Sequence, residues 1–164
     1  MGNQGKLVLL IDDNKLPMQF YIKALKQEGF EVEQCFEPDS ALDFVEKNKE
    51  QIAVIILDIM MPPGKTYNSK DTKEGLKTGN FLYDGLRALC PNTPILVLTN
   101  VNQPETLKKF YDLGIDVKQK ISCPPFELVE LIDEMLLVKD KKAADNQTLL
   151  KKNGEQKREY LNGS

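Results

Sequence analysis

Three short apolar runs limit the folds that this chain can adopt. They lie at residues 7–11, 54–57 and 95–98, and each consists of Val, Ile and Leu without a polar interruption. A run that is apolar at every position, rather than at every second one, is typical of a strand buried on both faces, and such strands belong to parallel sheets. Parallel strands need crossover connections, usually helices, so the runs predict an α/β fold.

Segments with helical periodicity lie between these runs. In the first, apolar residues recur at i, i+3, i+4 and i+7 from Met18 to Leu25, followed by Gly29 as a stop signal. Further stripes lie near residues 41–45, 81–89, 107–111 and 128–135. Weaker strand candidates at residues 31–35 and 117–121 have the mixed polarity of strands near a sheet edge. Five strands therefore alternate with five helices, which predicts a flavodoxin-like doubly wound parallel sheet in the order 2-1-3-4-5.

Two segments fall outside this alternation. Residues 62–78, here called the insertion, are rich in Gly, Lys, Asn, Asp and Thr and are long for a βα connection, where about 2 to 6 residues are usual. The insertion is either functional or a tolerated surface excursion. Residues 139–164 carry seven Lys/Arg and four Asp/Glu with few apolar residues, so this tail is expected to be largely disordered. The expected organisation is a leader at 1–5, one domain at 6–138 and the tail.

Composition excludes several classes of function. The net charge is −3 and the lysines are scattered, so no basic surface for nucleic acid is expected. No apolar stretch reaches the roughly 18 residues that span a bilayer, and three cysteines without CxxC spacing fit reduced thiols in the cytoplasm. The chain has no histidine, which removes Ser-His-Asp and Cys-His catalysis and favours an oxygen-ligated metal such as Mg²⁺ or Ca²⁺ over zinc.

Three aspartates follow two of the predicted buried strands. Asp12 and Asp13 come directly after strand 1, and Asp58 comes directly after strand 3. Neighbouring strands end at the same edge, so these carboxylates should converge and repel one another by roughly 4 kcal/mol per pair at about 4 Å. A cation is needed to make that arrangement tolerable, and Mg²⁺ suits oxygen ligands beside a phosphate. A role as helix N-cap is the alternative explanation for any single aspartate. That explanation is weaker for all three together, because they lie at the matching ends of two buried strands.

Other polar residues are predicted at the same edge. Thr99 ends strand 4 with a hydroxyl that can donate a hydrogen bond, although Thr is also common in strands. Lys118 and Lys120 lie on strand 5, and either can supply a compact positive charge, although a solvated lysine is the default.

With these residues in view, the chain resembles the response-regulator receiver family over about residues 6–138. The matching pieces are the first strand with its Asp-Asp pair, Leu57-Asp58-Ile59-Met60-Met61-Pro62, Val97-Leu98-Thr99, Gly114 and Pro125-Phe126-Glu127-Leu128. The combination of Leu-Asp-x-x-Met-Pro with an upstream Asp-Asp pair is specific.

The resemblance implies a role for each matching site residue. Asp58 would accept a phosphoryl group from a histidine kinase or histidine phosphotransfer protein. Asp13 and Asp58 would bind Mg²⁺ directly, Asp12 would bind it through water, and the carbonyl of Met60 would complete the protein ligands. Thr99 and a strand-5 lysine would contact the phosphoryl group. Lys120 is favoured over Lys118 because its distance from Thr99 is close to the usual one.

The sequence departs from the family pattern in four places. The family lysine directly precedes Pro-Phe, whereas Lys120 lies several residues upstream of that pair. Asn100 replaces a small residue after Thr99. The usual aromatic residue on strand 5 is missing, since Val117 or Lys118 occupies that region. The fourth departure is the insertion.

The resemblance favours a signalling domain rather than an enzyme, one that assists its own Mg²⁺-dependent phosphoryl transfer and the hydrolysis of its aspartyl phosphate. No effector domain is expected after residue 138, so the output is expected to pass through contacts with an unidentified target protein. The alternative is a receiver-like interaction module that does not switch by phosphorylation. A phosphatase of the haloacid-dehalogenase type is disfavoured, since Met60 occupies the position where that chemistry needs a second Asp.

Overall fold

The described part of the chain, residues 2–162 of this computed structural model, is built around one parallel sheet. Its strands are β1 (Leu7–Ile11), β2 (Glu31–Cys35), β3 (Ile52–Leu57), β4 (Ile95–Thr99) and β5 (Val117–Gln119). Its helices are α1 (Lys15–Gln27), α2 (Pro38–Asn48), α3 (Thr78–Leu89), α4 (Pro104–Asp112) and α5 (Pro125–Asn162). Strands and helices alternate along the chain, as the hydrophobic pattern predicts.

The sheet has the order β2-β1-β3-β4-β5, and every neighbouring pair is parallel. The predicted flavodoxin-like fold is therefore confirmed. β1 lies between β2 and β3, with Ile11 paired to Leu57 at its carboxyl end. Strand order reverses beside β1, and this is where a ligand crevice forms in an open α/β sheet.

The core lies on the central strands, whose residues are almost entirely buried. Leu9, Ile55 and Val97 belong to a cluster that continues into the buried faces of α2, α3 and α4. In that cluster the rings of Tyr83 and Phe110 pack edge to face with centroids 5.5 Å apart. Burial on both faces explains why these strands are apolar at every position.

Strand β5 is shorter than residues 117–121, which the sequence predicts. It ends at Gln119, and Lys120–Ser122 form a 3₁₀ turn. Pro124 and Pro125 follow shortly after, and prolines have no backbone N–H with which to continue a ladder. The turn changes the direction of the chain at Lys120.

The tail differs from the expected disorder, because α5 runs without a break to Asn162. Lys, Ala, Leu, Gln and Glu dominate the tail, no proline follows Pro125, and these residues have good helix propensity. The chain divides into two units, Met1–Glu130 with the sheet and Leu131–Ser164 with the rest of α5. The expected domain boundary at residue 138 stays a prediction. Within residues 2–162, no helix is long and apolar enough to cross a membrane.

The insertion contains no strand, and it is tied to its surroundings at defined points. The carboxylate of Asp39 in α2 accepts hydrogen bonds from the backbone N–H groups of Lys65 (2.8 Å) and Thr66 (2.9 Å). The ring of Tyr67 packs on Phe81 with centroids 6.0 Å apart. The insertion is therefore a folded loop in this structure.

Candidate functional site

The ends of β1 and β3 place two aspartates side by side. The backbone N–H of Asp58 donates to the carbonyl of Ile11 at 2.9 Å, and that of Asp12 donates to Cys35 at 3.0 Å. Ladder hydrogen bonding thus continues one residue past each strand. Both aspartates are consequently held at the carboxyl edge of the sheet by their backbones.

Three carboxylates meet at this edge. Oxygen atoms of Asp12, Asp13 and Asp58 all lie within 4.8 Å of one another. Asp12 and Asp58 are buried, whereas Asp13 is exposed. An all-oxygen set with one open side fits a hard divalent cation that keeps some of its waters, which is how Mg²⁺ is usually bound.

Among the described residues, Lys120 supplies the positive charge that contacts this cluster. Its Nζ lies 2.7 Å from Oδ2 of Asp12 and 3.1 Å from Oδ2 of Asp58. Its side chain is only 9% exposed, whereas Lys118 is exposed. Of the two candidate lysines, the structure therefore brings Lys120 to the carboxylates.

The charges of the cluster shift the pKa values of their neighbours. Burial lowers the pKa of Lys120, but the carboxylates of Asp58 and Asp12 outweigh burial and leave its pKa above the ordinary value. Burial and the charge of Asp58 raise the pKa of Asp12 against the opposing effect of Lys120. Lys120 therefore stays protonated and offsets part of the negative charge at neutral pH.

Tyr21 supports Lys120 from a different element. Its hydroxyl, on α1, donates to the carbonyl of Cys123 at 2.7 Å and lies 3.3 Å from the carbonyl of Lys120. α1 thus holds the turn from which the lysine side chain extends. Sequence reasoning assigned Tyr21 only to a helix stripe, and no local signal connects it to residues about a hundred positions away.

Thr99 is fully buried at the end of β4. Its Oγ1 accepts a hydrogen bond from the N–H of Val101 at 3.2 Å. The carbonyl of Val101 in turn accepts from Nε2 of Gln119 on β5 at 2.7 Å. Thr99 is therefore linked to β5 through Gln119, a residue that the sequence reasoning did not single out.

The loop after Asp58 carries the last predicted site residue. Oδ1 of Asp58 accepts from the N–H of Ile59 at 2.7 Å, which fixes the carboxylate relative to its own loop. Met60 follows and is 46% exposed. The structure therefore places Met60 in the loop immediately beside the cluster.

Comparison with solved structures identifies the class of this fold. A CheY-like response regulator receiver domain protein from Methanospirillum hungatei JF-1 is 22% identical with a TM-score of 0.67, covering 84% of this chain and 98% of its own. A response regulator from Desulfuromonas acetoxidans is 21% identical (TM-score 0.63; 80% and 97% covered). NtrX from Brucella abortus, solved in complex with ADP, is 21% identical (TM-score 0.68) over 85% of this chain and 29% of its own.

The family follows from the sequence itself. Residues 8–132 match the family model described as the response regulator receiver domain, and the chain belongs to that family. A search of the curated proteins found no match. Receiver domains are signalling domains of two-component systems that bind Mg²⁺ at an acidic pocket and interact with histidine kinases and downstream targets.

Proposed function

We propose that the chain is a phosphoacceptor switch in which Asp58 takes a phosphoryl group from a histidine kinase or histidine phosphotransfer protein. The observation that carries the proposal is the position of Asp58 between two further carboxylates and the ammonium group of Lys120. That arrangement combines a nucleophile, an oxygen-ligand set and a fixed positive charge, which are the parts that phosphoryl transfer requires.

The phosphoryl transfer is a simple displacement at phosphorus. A carboxylate oxygen of Asp58 attacks the phosphorus atom, the bond from phosphorus to the donor's imidazole nitrogen breaks, and its electron pair returns to that nitrogen. Lys120 stays protonated and faces the oxygens that carry the charge of the phosphoryl group. The hydroxyl of Thr99 donates a hydrogen bond to one of those oxygens.

The chemistry of the donor set fits magnesium. Asp13 and Asp58 would hold the ion directly, Asp12 would hold it through water, and the carbonyl of Met60 would complete the protein ligands. When bound, Mg²⁺ supplies neutralising charge for the phosphoryl oxygens. In the cluster, Lys120 already offsets part of the negative charge of Asp12 and Asp58.

The test is phosphorylation by acetyl phosphate with magnesium chloride, read by intact-protein mass spectrometry. The wild type should gain one phosphoryl group, and chelating the magnesium should prevent the gain. Asp58→Asn should gain none. Asp43→Asn is the matched control, because Asp43 is an exposed aspartate of α2 that pairs only with Lys47 among the described residues. Phosphorylation of Asp58→Asn at the rate of the control would contradict the assignment.

The non-switching interaction module is the weaker alternative. Three departures from the family pattern motivate it: the upstream position of the lysine, Asn100 after Thr99, and the missing aromatic residue on strand 5. The contact of Lys120 with Asp58 removes the first of these. Titration with beryllofluoride followed by NMR separates the two readings. Magnesium-dependent shifts near Asp58 and Thr99 support the switch, and their absence supports the module.

The identity of the kinase and of the target protein is open to direct capture. A pull-down with and without beryllofluoride should enrich a target that prefers the phosphorylated form. The cytoplasmic location stays a prediction from the sequence.

A further inference from the structure

The backbone around Met60 is held by the junction of the insertion with α3. Oγ1 of Thr78 donates to the carbonyl of Met61 at 2.6 Å. The N–H of Gly79 donates to the carbonyl of Ile59 at 2.8 Å. Two consecutive residues thus hold the carbonyls on either side of Met60.

The carbonyl of Met60 itself is left available. Among the hydrogen bonds within residues 2–162, none ends on that oxygen. A carbonyl whose two neighbours are engaged and which accepts nothing itself is suited to serve as a ligand. The engaged neighbours also limit rotation of the two peptide groups that flank it.

Close packing reinforces this arrangement. A Cβ atom on Gly79 would lie 2.4 Å from the carbonyl oxygen of Asp58 and 2.5 Å from Cα of Ile59. The start of α3 therefore packs directly against the backbone of the Asp58–Met61 loop. Thr78 is fully buried at this contact, so water cannot replace its hydroxyl as the donor to Met61.

The insertion closes at the same place. The N–H of Met61 donates to the carbonyl of Gly75 at 3.2 Å, so Met61 is bonded through both of its backbone groups to the last part of the insertion. Gly75 has φ +92°, a conformation that favours glycine. The insertion, which begins at Pro62, is thus hydrogen-bonded near its end to the residue that precedes it.

We infer that Thr78 is a positioning residue for the divalent-cation site, acting through Met61 to orient the carbonyl of Met60. The inference rests on the proposed function, because it needs the carboxylate cluster to bind Mg²⁺. It assigns a task to the end of the insertion that the sequence pattern does not indicate. Outer residues that orient metal ligands usually change affinity by about 10- to 100-fold when they are replaced.

The test is the magnesium affinity of three variants, measured by titration calorimetry. Thr78→Val keeps the shape of the side chain and removes the hydroxyl, and it should weaken binding by roughly tenfold. Thr78→Ser keeps the hydroxyl and should bind nearly as the wild type does. Urea unfolding of each variant establishes that it is folded.

Thr72→Val is the matched control. Thr72 is also a fully buried threonine of the insertion, but among residues 2–162 its hydroxyl hydrogen-bonds only to the carbonyls of Asn68 (3.0 Å) and Ser69 (3.1 Å). Its replacement loosens the insertion without touching the Asp58–Met61 loop and should leave the affinity unchanged. Equal weakening in Thr72→Val and Thr78→Val would overturn the inference.

A second measurement needs no variant. In wild-type protein labelled uniformly with ¹³C and ¹⁵N, the carbonyl signal of Met60 should move during a magnesium titration much more than that of Met61. A fixed Met60 signal while the Asp58 resonances move would overturn the inference and leave the proposed function intact. Failure of the wild type to bind magnesium at all would overturn both.

Discussion

Removing the charge of Lys120 tests the electrostatics of the site most directly. Its ammonium contacts Asp12 at 2.7 Å and Asp58 at 3.1 Å, and the side chains of these aspartates are only 1% and 5% exposed. At an effective dielectric of about 20, each contact is worth roughly 5 to 6 kcal/mol before desolvation. The desolvation of the ammonium group in the folded protein cancels several kcal/mol of that sum.

Lys120→Met should lower the free energy of unfolding, because it leaves two buried carboxylates without their positively charged partner. Removing one partner from a buried ion pair typically destabilises a protein by about 3 to 5 kcal/mol. With an m-value of about 2 kcal/mol/M, the urea midpoint should fall by about 1.5 to 2.5 M in a chelator. Far-UV circular dichroism measures the transition, since the chain has no tryptophan.

Lys118→Met is the control for this prediction. Lys118 lies two residues earlier and is exposed, so its replacement should change the free energy of unfolding by no more than about 0.5 kcal/mol. Magnesium chloride should stabilise Lys120→Met more than the wild type, because the uncompensated carboxylates bind a divalent cation more tightly. Equal midpoints for the two variants in a chelator would refute the electrostatic account of the site.

Three further predictions concern packing, ionisation and the insertion. Gly79→Ala should destabilise the fold by about 3 kcal/mol in urea unfolding, because the new methyl group would meet the backbone of Asp58; Gly154→Ala, with open space around it, should not, and equal losses would contradict the packing argument. Burial raises the pKa of the Cys35 thiol from 9.0 to about 11, so a thiol-reactive disulfide reagent should modify it slowly in native protein at about pH 8. The unfolded thiol ionises at lower pH, so this group lowers stability as pH rises from about 9 toward 11, and rapid native modification would argue against burial. Asp39→Ala removes the acceptor for two backbone N–H groups of the insertion, so trypsin should cleave the lysines of the insertion faster. Unchanged cleavage would show that other contacts hold the insertion.

The order of the sheet was predictable because the hydrophobic pattern distinguishes central strands from edge strands. Uninterrupted Val, Ile and Leu over several residues identified β1, β3 and β4, and mixed polarity identified β2 and β5 as edge strands. Aspartates directly after β1 and β3 could then be expected at one edge, because parallel strands end together. Each of these inferences depends on residues that are close in sequence.

The extent of α5 could not be inferred in this way. Residues 139–162 have few apolar positions, and composition of that kind is shared by solvated helices and by disordered tails. Helix propensity and the lack of proline favour the helix, but single-residue preferences are small. Low hydrophobicity was therefore an unreliable guide in this segment.

By itself, the sequence determined the α/β architecture, the strand order and the position of the acidic residues at the ends of β1 and β3. Only the tertiary structure decided that Lys120 rather than Lys118 contacts the carboxylates, that Tyr21 supports its turn and that Thr78 holds the loop beside Met60. The physical reason is the range of the interactions. The hydrophobic pattern can be read from residues that are close in the sequence. An ion pair or a hydrogen bond between residues 62 or 102 positions apart exists only after the sheet has brought the strand ends together.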